Sequence, residues 1–261
     1  MELIGFLLLG LISGFFAGLL GLGGGIITVP VMALMALPYL GFPSNQVMHI
    51  AVASSLATMI PTALMSAYGH HKQRSIVWSI AWKFTPGLIV GGVSGAILAN
   101  YIASQSLQYT FATFLIFVAI YMLLSPADLV KPINGKEKLD SYVSLPISCI
   151  SAILGVGGGT MTVPYLMWRG IELRKAIGIS AYCGLPIAVA SSATFYVMQS
   201  SGHLNSAEQF FYFPAVLGII IGSIISAPIG AKCTHYLPVK LIKRLFSIVL
   251  LLASAKLFMI W

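Results

Sequence analysis

A thirteen-residue stretch of this chain is written twice. Residues 20–32 read LGLGGGIITVPVM, and residues 154–166 read LGVGGGTMTVPYL. Gly21, Gly23, Gly24, Gly25, Thr28, Val29 and Pro30 reappear 134 positions on as Gly155, Gly157, Gly158, Gly159, Thr162, Val163 and Pro164. Such a duplication constrains the whole fold, because each half must build the same local structure around the same glycines. The parallel continues more weakly. Residues 51–55 correspond to 178–181, Gly69-His70 to Gly202-His203, and Pro86, Gly91 and Gly95 to Pro214, Gly218 and Gly222. The halves are therefore 1–124 and 142–261, and the markedly polar stretch 125–141 reads as a linker.

The medium in which these halves fold follows from their charge. The chain is 58% hydrophobic and 8% charged, where a soluble domain carries about 25% charged residues. Too little polar surface exists to cover a water-soluble globule of this length. About 20 apolar residues cross a bilayer as a helix. The expected class is an all-α polytopic integral membrane protein of about eight to ten helices. The net charge of +8 reads as Lys- and Arg-rich cytoplasmic loops rather than as a nucleic-acid surface. Cys149, Cys183 and Cys233 have no metal-ligand spacing and read as small buried hydrophobes. No metal or cofactor is expected. Glu2 follows Met1 and no small-residue cleavage site ends the first apolar run, so that run is not read as a signal peptide.

Each half divides into five apolar segments. In the first they are 3–20, 26–40, 47–67, 76–98 and 107–124; in the second, 142–154, 160–168, 176–199, 210–231 and 241–260. The first two of each set are short and meet at the glycine cluster, and the other three are long enough to span. Basic residues mark one side of the membrane: Lys72 and Arg74, then Lys131, Lys136 and Lys138, then Arg169, Arg174 and Lys175, then Lys232, Lys240, Lys243 and Arg244. Loops 38–46 and 99–106 carry no charge, and 200–209 carries only Glu208. With the basic loops inside, each half crosses an odd number of times. The two repeats are then inverted, each a short broken-helix hairpin plus three spanning helices, and both termini fall on the non-cytoplasmic side of the inner (plasma) membrane.

Inverted repeats with broken helices are a recurring plan of secondary transporters, with the substrate near the bilayer midplane at the breaks. Irregular backbone at membrane depth is tolerated only inside protein or against a water-filled cavity. Two breaks facing each other aim two helix N-termini, near Ile26 and Thr160, towards one point. Helix N-termini carry partial positive charge and free N–H donors, which suits anions. The expected substrate contacts are Gly23, Gly24, Gly25, Ile26, Thr28, Ser54 and Ser55 from the first half. From the second they are Gly157, Gly158, Gly159, Thr160, Thr162 and Ser180. Glycine clusters in membrane helices also serve close packing alone, and that reading stands beside the substrate-site reading.

These same residues carry a family resemblance. Gly21-Leu22-Gly23-Gly24-Gly25 with Pro30, and Gly155-Val156-Gly157-Gly158-Gly159 with Pro164, resemble the paired motifs of the sulfite exporter TauE/SafE family of membrane permeases. Chain length and the polar mid-chain linker agree with it. The family's small Ala/Thr/Ser segment is clear as Ala53-Ser54-Ser55 and reduced to Ser180-Ala181 in the second half. The resemblance implies movement of sulfur-containing anions such as sulfite, sulfonates and sulfoacetate across the bacterial inner membrane.

The acidic residues bear on energetics. Glu2, Asp128, Glu137, Asp140, Glu172 and Glu208 are all terminal or in loops, so the usual buried carboxylate proton relay of pumps is not expected. Anion export or facilitated passage without a coupled ion, by alternating access between the two repeats, is the expectation. Lys83 and Lys256 read as snorkelling cations. His70 and His71 cluster with Arg74 at the cytoplasmic mouth, and His49 reads as an interfacial histidine or a vestibule lining. Tyr182 and Cys183 follow the second glycine unit, where Cys183 meets a sulfur substrate or is simply buried. Three other classes remain open: a non-transporting membrane accessory protein, an intramembrane enzyme, and a channel, which shares the pore reading and differs in turnover and gating. The enzyme is disfavoured because Ile26 and Thr160 hold the third-glycine positions of a dinucleotide fingerprint and no hydrolase motif is present.

Overall fold

Among the described residues, five helices are both long and apolar enough to cross a membrane: Glu2–Leu20, Ser44–Lys72, Trp78–Tyr101, Leu173–Ser200 and Phe213–Cys233. They belong to an all-helical, multi-pass membrane protein. A computed structural model describes residues 2–124, 139–200, 210–234, 236 and 238–259. Residues 125–138, which hold most of the linker, and Gly202, His203 and Glu208 lie outside the described residues. Each half contributes five segments in the same order. In the first, α1 (Glu2–Leu20) breaks at the glycines. Then α2 (Gly25–Val31) passes through a π-helical turn, Met32–Ala36, into α3 (Leu37–Tyr39), and α4 (Ser44–Lys72), α5 (Trp78–Tyr101) and α6 (Ser104–Leu124) follow. In the second, α7 (Leu139–Leu154) breaks at the glycines, followed by α8 (Gly159–Trp168), α9 (Leu173–Ser200), α10 (Phe213–Cys233) and α11 (Val239–Met259). The first segment has the bounds expected from sequence to within one residue, but at 19 residues α1 is long enough to span rather than short.

The helices pack through small residues, as apolar helices in lipid must, because lipid tails leave no hydrophobic difference to drive association. Gly10, Gly14 and Gly18 recur every fourth residue on α1 and meet Ile219, Ser223 and Ala227 of α10 backbone to backbone. A methyl group on Gly14 would sit 2.5 Å from the Ser223 Cα. The second half repeats the device with the partners exchanged. Gly87, Gly91 and Gly95 of α5 lie against Ser144, Ser148 and Ala152 of α7. Gly87 stands over Ser141, Ser144 and Leu145 as Gly222 stands over Leu7, Gly10 and Leu11, and Gly95 stands over Cys149 as Gly230 stands over Phe15. The structural register of this repeat is therefore 135 positions, and Gly91 matches Ser226. That corrects the sequence pairing of Gly91 and Gly95 with Gly218 and Gly222 by two helical turns. Small residues recur every fourth position on both helices, so matching letters slides along the ridge.

Contacts also fix the directions of the helices. α1, α4 and α10 run the same way: Glu2 is level with Tyr212, the Thr62 hydroxyl with that of Ser223, Ser66 with Ala17, and His70 with Gly18. α5, α7 and α9 likewise run together: Lys83 is level with Ser141, Leu88 with Ser148, Thr85 with Tyr182, and Gly92 with Ser191. A five-residue turn reverses the chain between α4 and α5, with Arg74 at φ 54° and its amide bonded to the His71 carbonyl. Hence α1 and α7 run in opposite directions, as do α4 and α9, although each pair holds the same place in its half.

Two ends of the bundle follow. At one, Glu2, Phe6, Phe42 and Tyr212 cluster, with the Phe42 and Tyr212 rings 5.4 Å apart. At the other, Arg74 and Ser75 lie beside Gly178 at the start of α9. Among the described residues, Lys72, Arg74, Arg169, Arg174, Lys175 and Lys232 belong to the Arg74 end, in or beside the turns and last helical turns that face it. Lys256 lies at the Glu2 end, next to Leu257, whose carbonyl accepts the Gln108 amide at 2.7 Å. Trp78, Trp82 and Tyr182 form a ring cluster at the Arg74 end, as aromatic belts do at membrane interfaces.

Candidate functional site

Both glycine motifs are buried at the centre of the bundle, and they touch each other. Gly21, Gly23 and Gly24 have positive φ (67°, 74° and 80°), a conformation that costs glycine little and other residues much. This path folds the chain back so that α2 starts beside Ser13 and Ala17 of α1. In the second half Gly155 shares the positive φ, at 67°, but Gly158 is right-handed at φ −54°. The two turns are thus alike in position and unlike in shape.

Their contact is reciprocal. A Cβ on Gly25 would strike the Gly155 carbonyl oxygen, and one on Gly159 would strike the Gly21 carbonyl oxygen. A Cβ on Gly23 would lie 2.8 Å from the Gly157 Cα. Two serines close the same contact. Ser55 on α4 donates to the Gly155 carbonyl at 2.9 Å, and Ser180 on α9 donates to the Gly21 carbonyl at 2.8 Å. Each half's third segment, α4 or α9, thereby holds the glycine turn of the other half. Both serines were expected at the site; their crossed pairing was not readable, because it depends on two segments more than 90 residues apart meeting at one height.

The helix N-termini differ from expectation. They do not aim into a shared polar chamber: the α2 and α8 starts pack on the carbonyl ends of the opposite turn. The cleft nearest to Gly159 and Thr160 is small, about 50 Å³, and its walls are apolar, from Leu20, Leu22, Val118, Pro164 and Ile177. The reason is that glycine on both sides lets the two backbones close to contact. No backbone carbonyl among the described residues accepts from the amides of Gly23, Gly24, Gly25 and Ile26, nor from those of Gly157, Gly158, Gly159 and Thr160. Buried N–H groups are rarely left so, and these eight are brought together at one place.

The remaining candidates divide. Thr28 bonds back to the Gly24 carbonyl at 3.2 Å, and Thr160 lies 3.5 Å from the Gly157 carbonyl. Ile26 lines a separate apolar cleft with Pro30, Val31 and Leu34. Ser54 faces away from the turns and accepts the Tyr212 amide at 3.0 Å, at the start of α10. His49 reaches the Ile102 carbonyl at 3.0 Å and pins the start of α4 to the end of α5. His70 is buried rather than facing the aqueous mouth, and its Nε2–H donates to the Gly18 carbonyl at 2.7 Å. His71 is the exposed member, edge-on to Trp78. Met59 is a contact the sequence did not signal: its Sδ lies 2.6 Å from where a Gly23 Cβ would be. Outside the span, burial and then the Glu2 carboxylate hold the Tyr212 phenol above its ordinary pKa.

Cys183 packs against Gly158 and is fully buried, whereas Cys149 and Cys233 are half-buried. Maleimide applied to intact membranes without added anion is therefore expected to leave Cys183 unlabelled, with labelling appearing after denaturation, as read by mass spectrometry. Rapid native labelling would mean that the turns part spontaneously.

Antiparallel-running counterparts, exposed apolar side chains on the spanning helices such as Leu8, Ile89 and Ile225, and two buried glycine turns in mutual contact define a polytopic helical membrane protein built like a transporter. The comparisons make this specific. The family model described as "Sulfite exporter TauE/SafE" matches residues 6–257, and the chain belongs to that family. It is 31% identical over 256 residues to a "Probable membrane transporter protein" of Haemophilus influenzae, covering 97% of each chain. It is 25% identical over 249 residues to one of Methanocaldococcus jannaschii, covering 94% of this chain and 91% of the relative. It is 24% identical over 279 residues to "Probable membrane transporter protein YunE" of Bacillus subtilis, covering 98% and 97%. The protein is accordingly a membrane transporter and not an enzyme.

Proposed function

We propose that this transporter moves a small sulfur oxyanion of the sulfite or sulfonate class out of the cell, by alternating access between two inverted repeats. The observation that carries this reading is the crossed contact of the glycine turns, with eight amides that no backbone carbonyl claims. When the turns part, those amides face the gap between them, with Gly23, Gly24, Gly25, Gly157, Gly158 and Gly159 as the lining. Thr160, Thr162, Ser55 and Ser180 stand in the adjoining turns, whereas the Thr28 hydroxyl is taken by the Gly24 carbonyl. Amides at helix starts stabilise an anion without any buried cation. Opposed directions of α1 and α7, and of α4 and α9, support the inverted relation. The Arg74 end is cytoplasmic on the positive-inside bias, which puts both termini on the far side of the inner membrane.

The energetics favour exit. Of the described acidic side chains, Glu2 begins α1 and Glu172 precedes α9, so neither forms a relay across the core. A monoanion leaving a negative interior gains about 2.3 kcal/mol per 100 mV, enough to drive uniport. The test is efflux of radiolabelled sulfite and sulfoacetate from proteoliposomes under an imposed potential. Efflux is expected to accelerate as the interior is made more negative. Strict dependence on a sodium or proton gradient would overturn uniport, and movement of neither anion would overturn the substrate class.

A further inference from the structure

Nine of the ten threonines in this chain have a hydrogen-bond partner for their hydroxyl: Thr28, Thr58, Thr62, Thr85, Thr110, Thr113, Thr160, Thr194 and Thr234. In a helix such a hydroxyl readily bonds the carbonyl three or four residues back, and that is what most of these do. Thr162 is the exception. It is fully buried, and its Oγ1 has no partner among the described residues. The carbonyl it would use, that of Gly158, receives the Thr162 amide at 2.8 Å, as the Gly24 carbonyl receives the Thr28 amide at 3.1 Å. The hydroxyl lies over the glycine turn, 3.3 Å from where a Gly158 Cβ would be, with Cys183 and Ile187 closing the other side. A buried hydroxyl left without a partner is a feature native structures keep only with a reason.

Its counterpart shows what changed. Thr28 holds the same place in the first half and is satisfied by the Gly24 carbonyl at 3.2 Å. The difference lies in the glycine before each: Gly24 is left-handed at φ 80°, Gly158 right-handed at φ −54°. The α8 helix, ten residues long, begins with the amides of Gly157, Gly158, Gly159 and Thr160 unclaimed by backbone carbonyls. Both turns carry unclaimed amides, but only in the second does a free buried hydroxyl donor stand with them.

We propose that the two glycine turns are not equivalent: the second one, with the Thr162 hydroxyl as a specificity-determining donor, binds the oxyanion, and the first serves as the closing element packed against it. The proposal rests on the anion reading given above and names the half that does the binding. In it, Thr162 Oγ–H donates to one oxygen of the anion while the amides at the start of α8 donate to the others, and the first turn moves over this seat and away from it. A neutral analogue of the same shape lacks the charged acceptor and gains little from either donor set.

The experiment compares Thr162→Val with Thr28→Val, each nearly isosteric with the original. Sulfite efflux from proteoliposomes gives KM and kcat, and the thermal midpoint is followed with and without sulfite. For Thr162→Val, KM is expected to rise about tenfold or more, as for loss of a hydrogen bond to a charged group, with kcat kept within about twofold. The midpoint without sulfite should be unchanged or higher, because an unsatisfied hydroxyl has gone, and the shift induced by sulfite should shrink. Thr28→Val removes a hydroxyl already bonded to the Gly24 carbonyl, so it should lower the midpoint slightly and raise KM by far less than Thr162→Val does. An unchanged KM in Thr162→Val, or equal KM effects in both variants, overturns the asymmetry while leaving the anion reading intact. If the unaltered protein neither moves sulfite nor is stabilised by it, both readings fall together.

Discussion

Alanine at Gly23 or at Gly157 should abolish transport and sharply reduce the yield of folded protein. Two costs add at Gly23. Its φ of 74° is strained for any residue with a Cβ, at about 1–2 kcal/mol. The new methyl would also sit 2.8 Å from the Gly157 Cα and 2.6 Å from the Met59 Sδ. Met59 is flexible and can yield; the Gly157 backbone cannot without moving the whole second turn. At Gly157 the obstruction is backbone throughout, with the Leu22 carbonyl carbon at 2.7 Å and the Gly23 Cα at 2.8 Å. Overpacking of this kind costs about 1–3 kcal/mol, so the total approaches about 3 kcal/mol or more at Gly23. The corresponding fall in the melting midpoint is roughly 6–12 °C for a chain of this size. Gly5 supplies the control, being exposed with nothing within 4 Å of its would-be Cβ, and Gly5→Ala should leave the midpoint unchanged or slightly higher. Detergent-solubilised melting curves read by fluorescence-detected gel filtration make the comparison. A normal midpoint in both Gly23→Ala and Gly157→Ala would show that the turns are not in contact in the resting protein.

The reach of the sequence is clear from these glycines. Thirteen repeated residues were enough to place two equivalent breaks, because glycine adopts the positive φ of Gly21 and Gly155 at little cost. Scarcity of charge dictated a membrane-spanning helical chain, and the five segments in each half correspond to the observed helices within a few residues. What escaped was everything fixed by contact across the halves. The register of the small-residue ridges slipped by two turns because a four-residue repeat looks the same when displaced by eight. His70 read as a mouth residue beside Arg74, since nothing in its neighbours announces that α1 ends against it and leaves the Gly18 carbonyl for its ring. Ser54 and Ser55 are adjacent in sequence and point to opposite duties, one holding the start of α10 and the other the glycine turn of the second half. Thr28 and Thr162 are indistinguishable as letters, and only the handedness of the preceding glycine separates a satisfied hydroxyl from a free one.

The crossed serines should act as separate latches on the two sides of the transporter. Ser55 lies eleven residues into α4 from the Glu2 end, and Ser180 seven residues into α9 from the Arg74 end. At 1.5 Å per residue these are depths of roughly 16 and 10 Å from opposite surfaces. Each buried hydroxyl-to-carbonyl bond contributes about 1 kcal/mol net, and its loss leaves a carbonyl unsatisfied at about 1–3 kcal/mol. Ser55→Ala should therefore favour opening towards the Glu2 end, and Ser180→Ala opening towards the Arg74 end, each by about tenfold in population. A cysteine placed at Thr28, buried in the closed bundle, reports the opening in a background without native cysteines. Membrane-impermeant maleimide should label it faster only from the outside in Ser55→Ala and only from the inside in Ser180→Ala. The double variant should show both accelerations and a stability loss near the sum of the singles, since the two bonds share no atoms. Labelling accelerated from the same side in both single variants would mean that the serines brace one gate, and two opposed latches would no longer describe how this bundle opens.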